Sequence, residues 1–189
     1  MHVVTHLLMG WALADQARLQ GRDRAIVAWA SVVPDADGAG VLLDATNHLL
    51  GRPETAYYEA YHHALGHSLV AAALYVLIAV CIARRKTWIA VLAFVSFHLH
   101  LLCDILGSRG SSPIDIWVIP YLSPFSDALT LSWNGQWPLT GWQNTTITIA
   151  LLAFVLAQAI QKGYSPVSLF STRADARFVE TLRARFEIR

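Results

Sequence analysis

Residues 87–106 read TWIAVLAFVSFHLHLLCDIL, an apolar run whose polar side chains fall mainly in its last third. As an α-helix this run would be about 30 Å long, which is enough to cross the hydrocarbon core of a bilayer. Its polar end carries His100 and Asp104. The run therefore predicts a membrane helix that holds ionisable side chains at one of its ends.

Four other apolar runs predict the helices that pack around this one. Residues 68–83 carry no charge, and extended back through His62 they reach about 20 residues, the length of a membrane span. Residues 146–160 form another long run, whereas residues 3–14 and 25–33 are shorter. Residues 35–61 and 107–144 are expected to be irregular. The pattern predicts an all-α fold, a polytopic membrane helical bundle.

The composition agrees with a membrane protein and excludes a nucleic-acid surface. Hydrophobic residues make up 55% of the 189 residues and charged residues only 14%, whereas soluble domains carry about a quarter charged residues. The net charge is +1, and no basic stripe is interleaved with aromatic residues, so no nucleic-acid partner is expected. We expect one membrane-embedded helical domain at residues 1–165 and an amphipathic tail at residues 166–189.

The basic residues are distributed unevenly between the two ends of the apolar runs. If the chain crosses at each run, every Lys and Arg except Arg52 and Arg109 falls on one side. The positive-inside rule puts that side, and the tail, in the cytoplasm. Most histidines then fall near the periplasmic interface, at the level of an aromatic belt formed by Tyr57, Tyr58, Tyr61 and Trp142.

His100 and Asp104 have the spacing of paired metal ligands. Side chains four residues apart on a helix share a face and approach within about 5–6 Å. An imidazole and a carboxylate placed in this way can bind one divalent ion. His98 points to nearly the opposite face, so we expect it to pack or to support the site from outside.

Three further histidines precede the run at residues 68–83. His63 and His67 are four residues apart, whereas His62 and His67 are five apart. Helical geometry alone favours His63 with His67, but the helix could begin late enough for His62 to reach the same point. Whether His62 or His63 is the ligand therefore stays open.

Two carboxylates and one more histidine complete the set. Asp35 and Asp37 come just after Pro34, and such a short loop can direct both carboxylates to a metal, or one to the metal and one to a water. His6, near the start of the first run, would lie at the same depth. Four segments converging at one depth predict a metal site at one mouth of the bundle, with these candidate ligands: His6, Asp35, His62, His63, His67, His100 and Asp104.

The same residues resemble the motifs of a known family, the bacterial inner-membrane metal-dependent hydrolases of the YdjM type. The resemblance implies a multi-pass protein of the inner membrane with hydrolase activity. His63 and Gly66 depart from the Arg and Thr usual there. The match covers residues 1–125 in order, and its motifs are Thr5-His6 with Gly10, Pro34-Asp35-Ala36-Asp37, His62 with His67-Ser68, and His100 with Asp104, Gly110 and Pro113.

The order of the ligands is also similar, more loosely, to that of the zinc-dependent phospholipases C, which are all-helical. That similarity implies one metal held by four side chains and a second metal that His6 joins, with Asp104 as a bridge between them. The four side chains are Asp35, His67, His100 and Asp104.

These features lead to the hypothesis of a membrane-bound metal-dependent hydrolase that uses a metal-activated water. Asp37 is the candidate general base or water-orienting group, since it need not be a ligand itself. Mixed His and Asp ligation suits a divalent metal, with zinc expected and manganese or iron also compatible. The aromatic interface favours a phosphoester or lipid-like substrate, so membrane lipid and a small-molecule or lipid-linked substrate are the expected partners.

Three other functions compete with this hypothesis. A non-enzymatic membrane scaffold could use the metal as a structural staple, but the surplus of ligands favours an open site. An ion or proton pathway would need polar groups that continue through the bilayer, and residues 68–83 offer few. A triad of Ser68, His67 and Asp104 lacks the Gly-x-Ser-x-Gly elbow.

Overall fold

The computed structural model describes residues 1–62 and 65–186, and most of them are helical. A short antiparallel pair, β1 (Ile119–Pro120) and β2 (Thr130–Leu131), lies between the last two long helices, and 3₁₀ segments cover Val33–Ala39 and Pro166–Leu169. The α-helices are α1 (Val3–Gln16), α2 (Gly21–Ala30), α3 (Gly40–Leu49), α4 (Tyr57–Tyr61), α5 (Leu69–Ile82), α6 (Lys86–Gly107), α7 (Trp142–Lys162) and α8 (Thr172–Arg185).

Two of the described helices, α6 and α7, are long and apolar enough to cross a membrane. A third candidate span combines α2 with residues 33–49, which are bent from it by 59°. The chain is mostly helical with two or three candidate membrane spans, which confirms the predicted helical fold at that level. The polytopic bundle, with its number of passes and its orientation, stays a prediction.

Large apolar side chains are exposed along the helices, as lipid contact requires. Leu74, Leu77 and Ile78 of α5 are each more than half exposed, and so is Ile149 of α7. Exposing this much apolar surface to water would be unfavourable. They are compatible with helices whose outer faces contact hydrocarbon.

Helix α6 lies in the middle of the bundle, with α1, α2 and α5 packed against it. Small buried side chains such as Ala14, Ala30 and Ala93 line these contacts, which allows the helix axes to approach closely. The Ser96 hydroxyl of α6 donates to the Val27 carbonyl of α2 at 2.8 Å. The packing brings the end of α6, the end of α2 and the start of α1 together at one end of the bundle.

The predicted extension of residues 68–83 back through His62 is wrong. Helix α5 begins at Leu69, after Ser68, whose hydroxyl accepts a hydrogen bond from the Ala71 N–H at 3.2 Å. The Leu69 N–H donates instead to the Tyr121 carbonyl at 2.8 Å. The chain turns before α5. Helix α5 has 14 residues, fewer than the ~20 that a membrane span needs.

The expectation that residues 35–61 are irregular is also wrong. They contain most of the 3₁₀ segment at Val33–Ala39 and the helices α3 and α4. The Asp44 carboxylate joins these helices, because it accepts the N–H groups of Tyr57 and Tyr58 at 3.0 and 2.8 Å. Helix α3 exposes Leu42, Leu43 and several other apolar side chains, so it has an apolar outer surface of its own.

The tail forms an amphipathic helix, α8, that packs against the Pro166–Leu169 segment and against α7. Asp175 is buried and accepts the Ser165 N–H at 2.9 Å, and Val179 is also buried. Most of its other side chains are exposed. The division of the chain at residue 165 and the cytoplasmic location of the tail stay predictions.

The contact between α1 and α2 depends on a glycine. A Cβ added at Gly10 would lie 2.1 Å from Oγ of Ser31 and 2.7 Å from the Ala28 carbonyl oxygen. We expect Gly10→Ala to destabilise the protein by about 1–3 kcal/mol, because the helices must separate. Thermal unfolding in detergent measures this change. Val4→Ala, on the exposed face of α1, is the control, and an equal unfolding temperature for the two variants would contradict the close contact.

Candidate metal centre

Four of the predicted ligands come together where α6 ends. One atom from each of the four residues lies within 4.8 Å of the others, a set that could hold a metal ion. The residues come from three parts of the chain: the 3₁₀ segment, the turn before α5, and the last two turns of α6. They are Asp35, His67, His100 and Asp104.

The distances within this cluster fit one small divalent ion. Oδ2 of Asp104 is 2.9 Å from Nε2 of His100 and 3.4 Å from Nε2 of His67. The two Nε2 atoms are 3.1 Å apart, and Oδ1 of Asp35 is 3.6 Å from His100 and 4.0 Å from His67. Tetrahedral ligands about 2.0–2.1 Å from zinc are themselves about 3.3 Å apart. The donor set therefore fits a metal of this size.

A backbone carbonyl orients His100. Nδ1 of His100 lies 2.8 Å from the Ser31 carbonyl oxygen, so Nδ1 carries the proton and Nε2 is left as the ligand atom. Ser31 is itself held in place, because its hydroxyl contacts the carbonyl oxygens of His6 and Ala28 at 2.7 and 2.8 Å. The end of α2 thus fixes the ring that α6 supplies.

A carboxylate outside the cluster orients His67. Oδ2 of Asp37 lies 3.2 Å from Nδ1 of His67 and accepts the Gly66 N–H at 2.8 Å. A Cβ at Gly66 would lie 2.1 Å from the Pro34 carbonyl oxygen, so a glycine is needed for this close approach. The Asp37–His67 pair has the arrangement in which a second carboxylate aligns a metal-binding imidazole.

His6 lies beside the cluster and faces the other oxygen of Asp104. Its ring stacks on His100 with centroids 3.8 Å apart, and its Nε2 is 3.2 Å from Oδ1 of Asp104. Neither ring nitrogen has a hydrogen-bond partner among the described residues, although the side chain is fully buried. Ser108 donates to the same Oδ1 at 2.9 Å, and the Met1 amino group also contacts it. Oδ2 of Asp104 therefore faces His67 and His100, and Oδ1 faces His6.

The electrostatics of the cluster favour a cation. Asp104 is buried among three imidazoles, and Oδ2 of Asp35 is buried with no hydrogen-bond partner in the described parts of the chain. Burial lowers the pKa of His67, but hydrogen bonds to Asp104 and Asp37 outweigh it and raise that pKa to about 9. His67 thus holds a proton near neutral pH, and a divalent ion would replace this positive charge when it binds.

The remaining predicted residues lie outside the four-residue group. His62 binds Asp37, with Nδ1 2.8 Å from Oδ1, and does not join the cluster. His63 lies outside the described residues, so the choice between His62 and His63 stays open. His98, expected to pack or to support the site, lies 2.8 Å from the Phe94 carbonyl oxygen and 2.7 Å from the Tyr121 hydroxyl.

An open cavity of about 280 Å³ leads to the cluster. Asp35 and Asp104 line it, so both carboxylates of the cluster can be reached from outside. Several residues around the cluster were not predicted. They include Ser31, whose carbonyl contacts His100, and Ser108, which donates to Asp104. Ser108 follows Asp104 at helical spacing and could have been found from it. The other lining residues, which no spacing indicates, include Tyr58, Trp117 and Leu139.

Comparison with protein-family models gives a match over most of the chain. The family model described as "YdjM inner membrane protein" matches residues 1–178. This range contains the whole cluster, the orienting residues and helices α1 to α7. No curated protein and no solved structure matches the chain.

The hydrogen bond that Asp37 accepts from His67 predicts the effect of replacing Asp37. In Asp37→Asn the His67 ring loses its aligning carboxylate, so we expect metal affinity to fall by about 10–100-fold. Titration with zinc against a competing chelator measures this affinity. Glu59→Gln, at an exposed position of α4, is the control for loss of one negative charge. Equal affinities for the two variants would contradict the orienting role.

Proposed function

The chain belongs to the YdjM inner membrane protein family, and from this membership and the geometry of the cluster we propose that it is a membrane-bound metal-dependent hydrolase. The observation that carries the proposal is that the cavity reaches Asp35 and Asp104. Structural metal sites are closed to solvent, whereas catalytic sites keep a position open to water or substrate, in some cases by expanding to five ligands. Because this four-residue site opens into a cavity, it has room for a water as a fifth ligand, as catalysis requires.

Four residues would hold the metal: Asp35, His67, His100 and Asp104. Two carboxylates and two imidazoles suit zinc, with manganese or iron also compatible. When bound, the ion would act as a Lewis acid and lower the pKa of a water toward neutrality. His6 and Oδ1 of Asp104, 3.2 Å apart, are the groups that would hold a second cation, with Asp104 shared between the two positions.

We assign proton transfer to His62 together with Asp37. His62 lines the cavity, and its Nδ1 is 2.8 Å from Oδ1 of Asp37. Asp37 was the predicted general base, but both of its oxygens are engaged by His62, Gly66 and His67. An imidazole facing the cavity and aligned by a carboxylate is better placed to move a proton to or from a substrate. Asp37 then positions both histidines.

The substrate that fits the site best is a phosphoester carried by a lipid-like molecule. The positive charge of the metal would compensate a phosphoryl group, while Tyr58, Trp117 and Leu139 offer an apolar and aromatic wall. Helix α3, with its exposed leucines, lies next to the 3₁₀ segment that carries Asp35. A substrate in the membrane interface could therefore enter without leaving the lipid.

We further propose that the chain crosses the inner membrane several times, with the site at the periplasmic face. The reason is the placement of the basic residues. Arg18, Arg22, Arg84, Arg85 and Lys86 lie at the end of the bundle opposite to the cluster, and the positive-inside rule assigns that end to the cytoplasm.

Hydrolysis by the purified, zinc-loaded protein tests the proposal. The probes are a chromogenic phosphodiester and a short-chain phospholipid, assayed in detergent. We expect His100→Ala to lose activity together with its metal. We expect His62→Gln to keep the metal but to lose about 10²–10⁴-fold in kcat, the usual contribution of a general acid or base.

The control is His98→Gln, on the same helix as His100. It should keep both metal and activity, because within the described residues His98 forms its hydrogen bonds with Phe94 and Tyr121. Full activity of His62→Gln would contradict the proton-transfer role. A wild-type protein that holds zinc and cleaves neither probe would contradict the proposed substrate class and favour a scaffold with a structural metal.

A further inference from the structure

A second cavity, of about 300 Å³, lies at the end of the bundle opposite to the metal cluster. It is formed where the turn between α1 and α2 meets the turn between α5 and α6. Three of its lining residues are arginines, Arg18, Arg84 and Arg85. Neither the predicted metal site nor the proposed hydrolysis uses these residues.

A buried carboxylate joins the two turns. Oδ1 and Oδ2 of Asp23 accept the N–H groups of Arg84 and Arg85 at 2.9 and 3.3 Å, and Asp23 is only 6% exposed. A guanidinium N–H of Arg22 also donates to the Ile82 carbonyl at 3.2 Å. The side chains of Asp23 and Arg22 therefore hold the two turns together by binding their backbone, and the side chains of Arg18, Arg84 and Arg85 are not needed for this.

The arginines of this cavity have no acidic partner within the described residues. Their side chains are exposed, and none of the three forms a salt bridge in that part of the chain. The one carboxylate in the cavity, Asp23, is directed at backbone amides. With three arginines and one carboxylate in its lining, the cavity carries a net positive charge.

The arginine-lined cavity lies at the depth of the lipid headgroups. From Lys86 to Asp104 helix α6 rises by about 27 Å at 1.5 Å per residue, close to the thickness of the hydrocarbon core. If the metal cluster lies at one membrane interface, this cavity lies at the other. The planar guanidinium group of an arginine can donate two parallel hydrogen bonds to the oxygens of a phosphate group.

We propose that this cavity binds a phosphate group, with Arg18, Arg84 and Arg85 as its ligands. The depth of the cavity favours the phosphate of an anionic phospholipid over a free anion. The site is separate from the metal cluster and does not depend on the proposed hydrolase activity. Binding here would fix the two turns, and with them the starts of α2 and α6, at the membrane surface.

Lipid titration of the full chain in detergent, followed by native mass spectrometry, tests the site. The probes are anionic phosphatidylglycerol and zwitterionic phosphatidylcholine with the same acyl chains. We expect preferential binding of phosphatidylglycerol that weakens by at least about tenfold in Arg18→Gln/Arg84→Gln/Arg85→Gln, since each basic group near an anionic surface contributes about 1 kcal/mol. The substitutions leave the backbone amides that bind Asp23.

The matched control is Arg173→Gln/Arg177→Gln/Arg185→Gln, which removes the same charge from exposed positions of α8 and should keep the wild-type affinity. Competition with inorganic phosphate separates the sources. Displacement of the lipid by phosphate supports a site for the phosphate group itself, and resistance supports a site for the lipid headgroup. Equal affinity of wild type and the first triple variant, or equal binding of the two lipids, would overturn the proposal. If that variant unfolds, Arg85→Gln alone gives the same comparison.

Discussion

The contact of the buried Asp104 carboxylate with three imidazoles is the interaction on which the metal-cluster end of the helical bundle depends. An ionised carboxylate in an apolar setting is costly unless positive charge or donors compensate it. Here His100 and His67 face one oxygen, and His6 faces the other. These rings come from α1, α6 and the turn before α5, so one carboxylate draws three segments together.

The same demand explains the residues around the cluster. Two of these imidazoles place their other nitrogen against an acceptor, which the Ser31 carbonyl supplies for His100 and Asp37 supplies for His67. Gly10 and Gly66 allow the backbones that carry these acceptors to approach. The two glycines are therefore part of the site, although neither has a side chain that could bind a metal.

Much of this arrangement follows from local spacing in the sequence. His100 and Asp104 are one helical turn apart, and apolar periodicity set the depth of His6 and Asp35, so their convergence could be predicted. The position of His62 could not, because it depends on a turn closed by a distant contact, Leu69 with Tyr121. The Ser31 carbonyl and the cavity walls at Tyr58 and Trp117 are also products of tertiary packing, which leaves no periodic signal. The basic residues were predicted as one side of a membrane, but their convergence on one cavity depends on Asp23.

Metal analysis of the detergent-purified protein is the direct test of metal binding by Asp35, His67, His100 and Asp104. The wild type would be compared with His100→Ala and with His98→Ala, which removes an imidazole from the same helix outside the cluster. We expect at least one equivalent of zinc, manganese or iron in the wild type and in His98→Ala, and its loss in His100→Ala. A wild-type protein that binds no metal even after reconstitution, or equal metal in all three proteins, would contradict it.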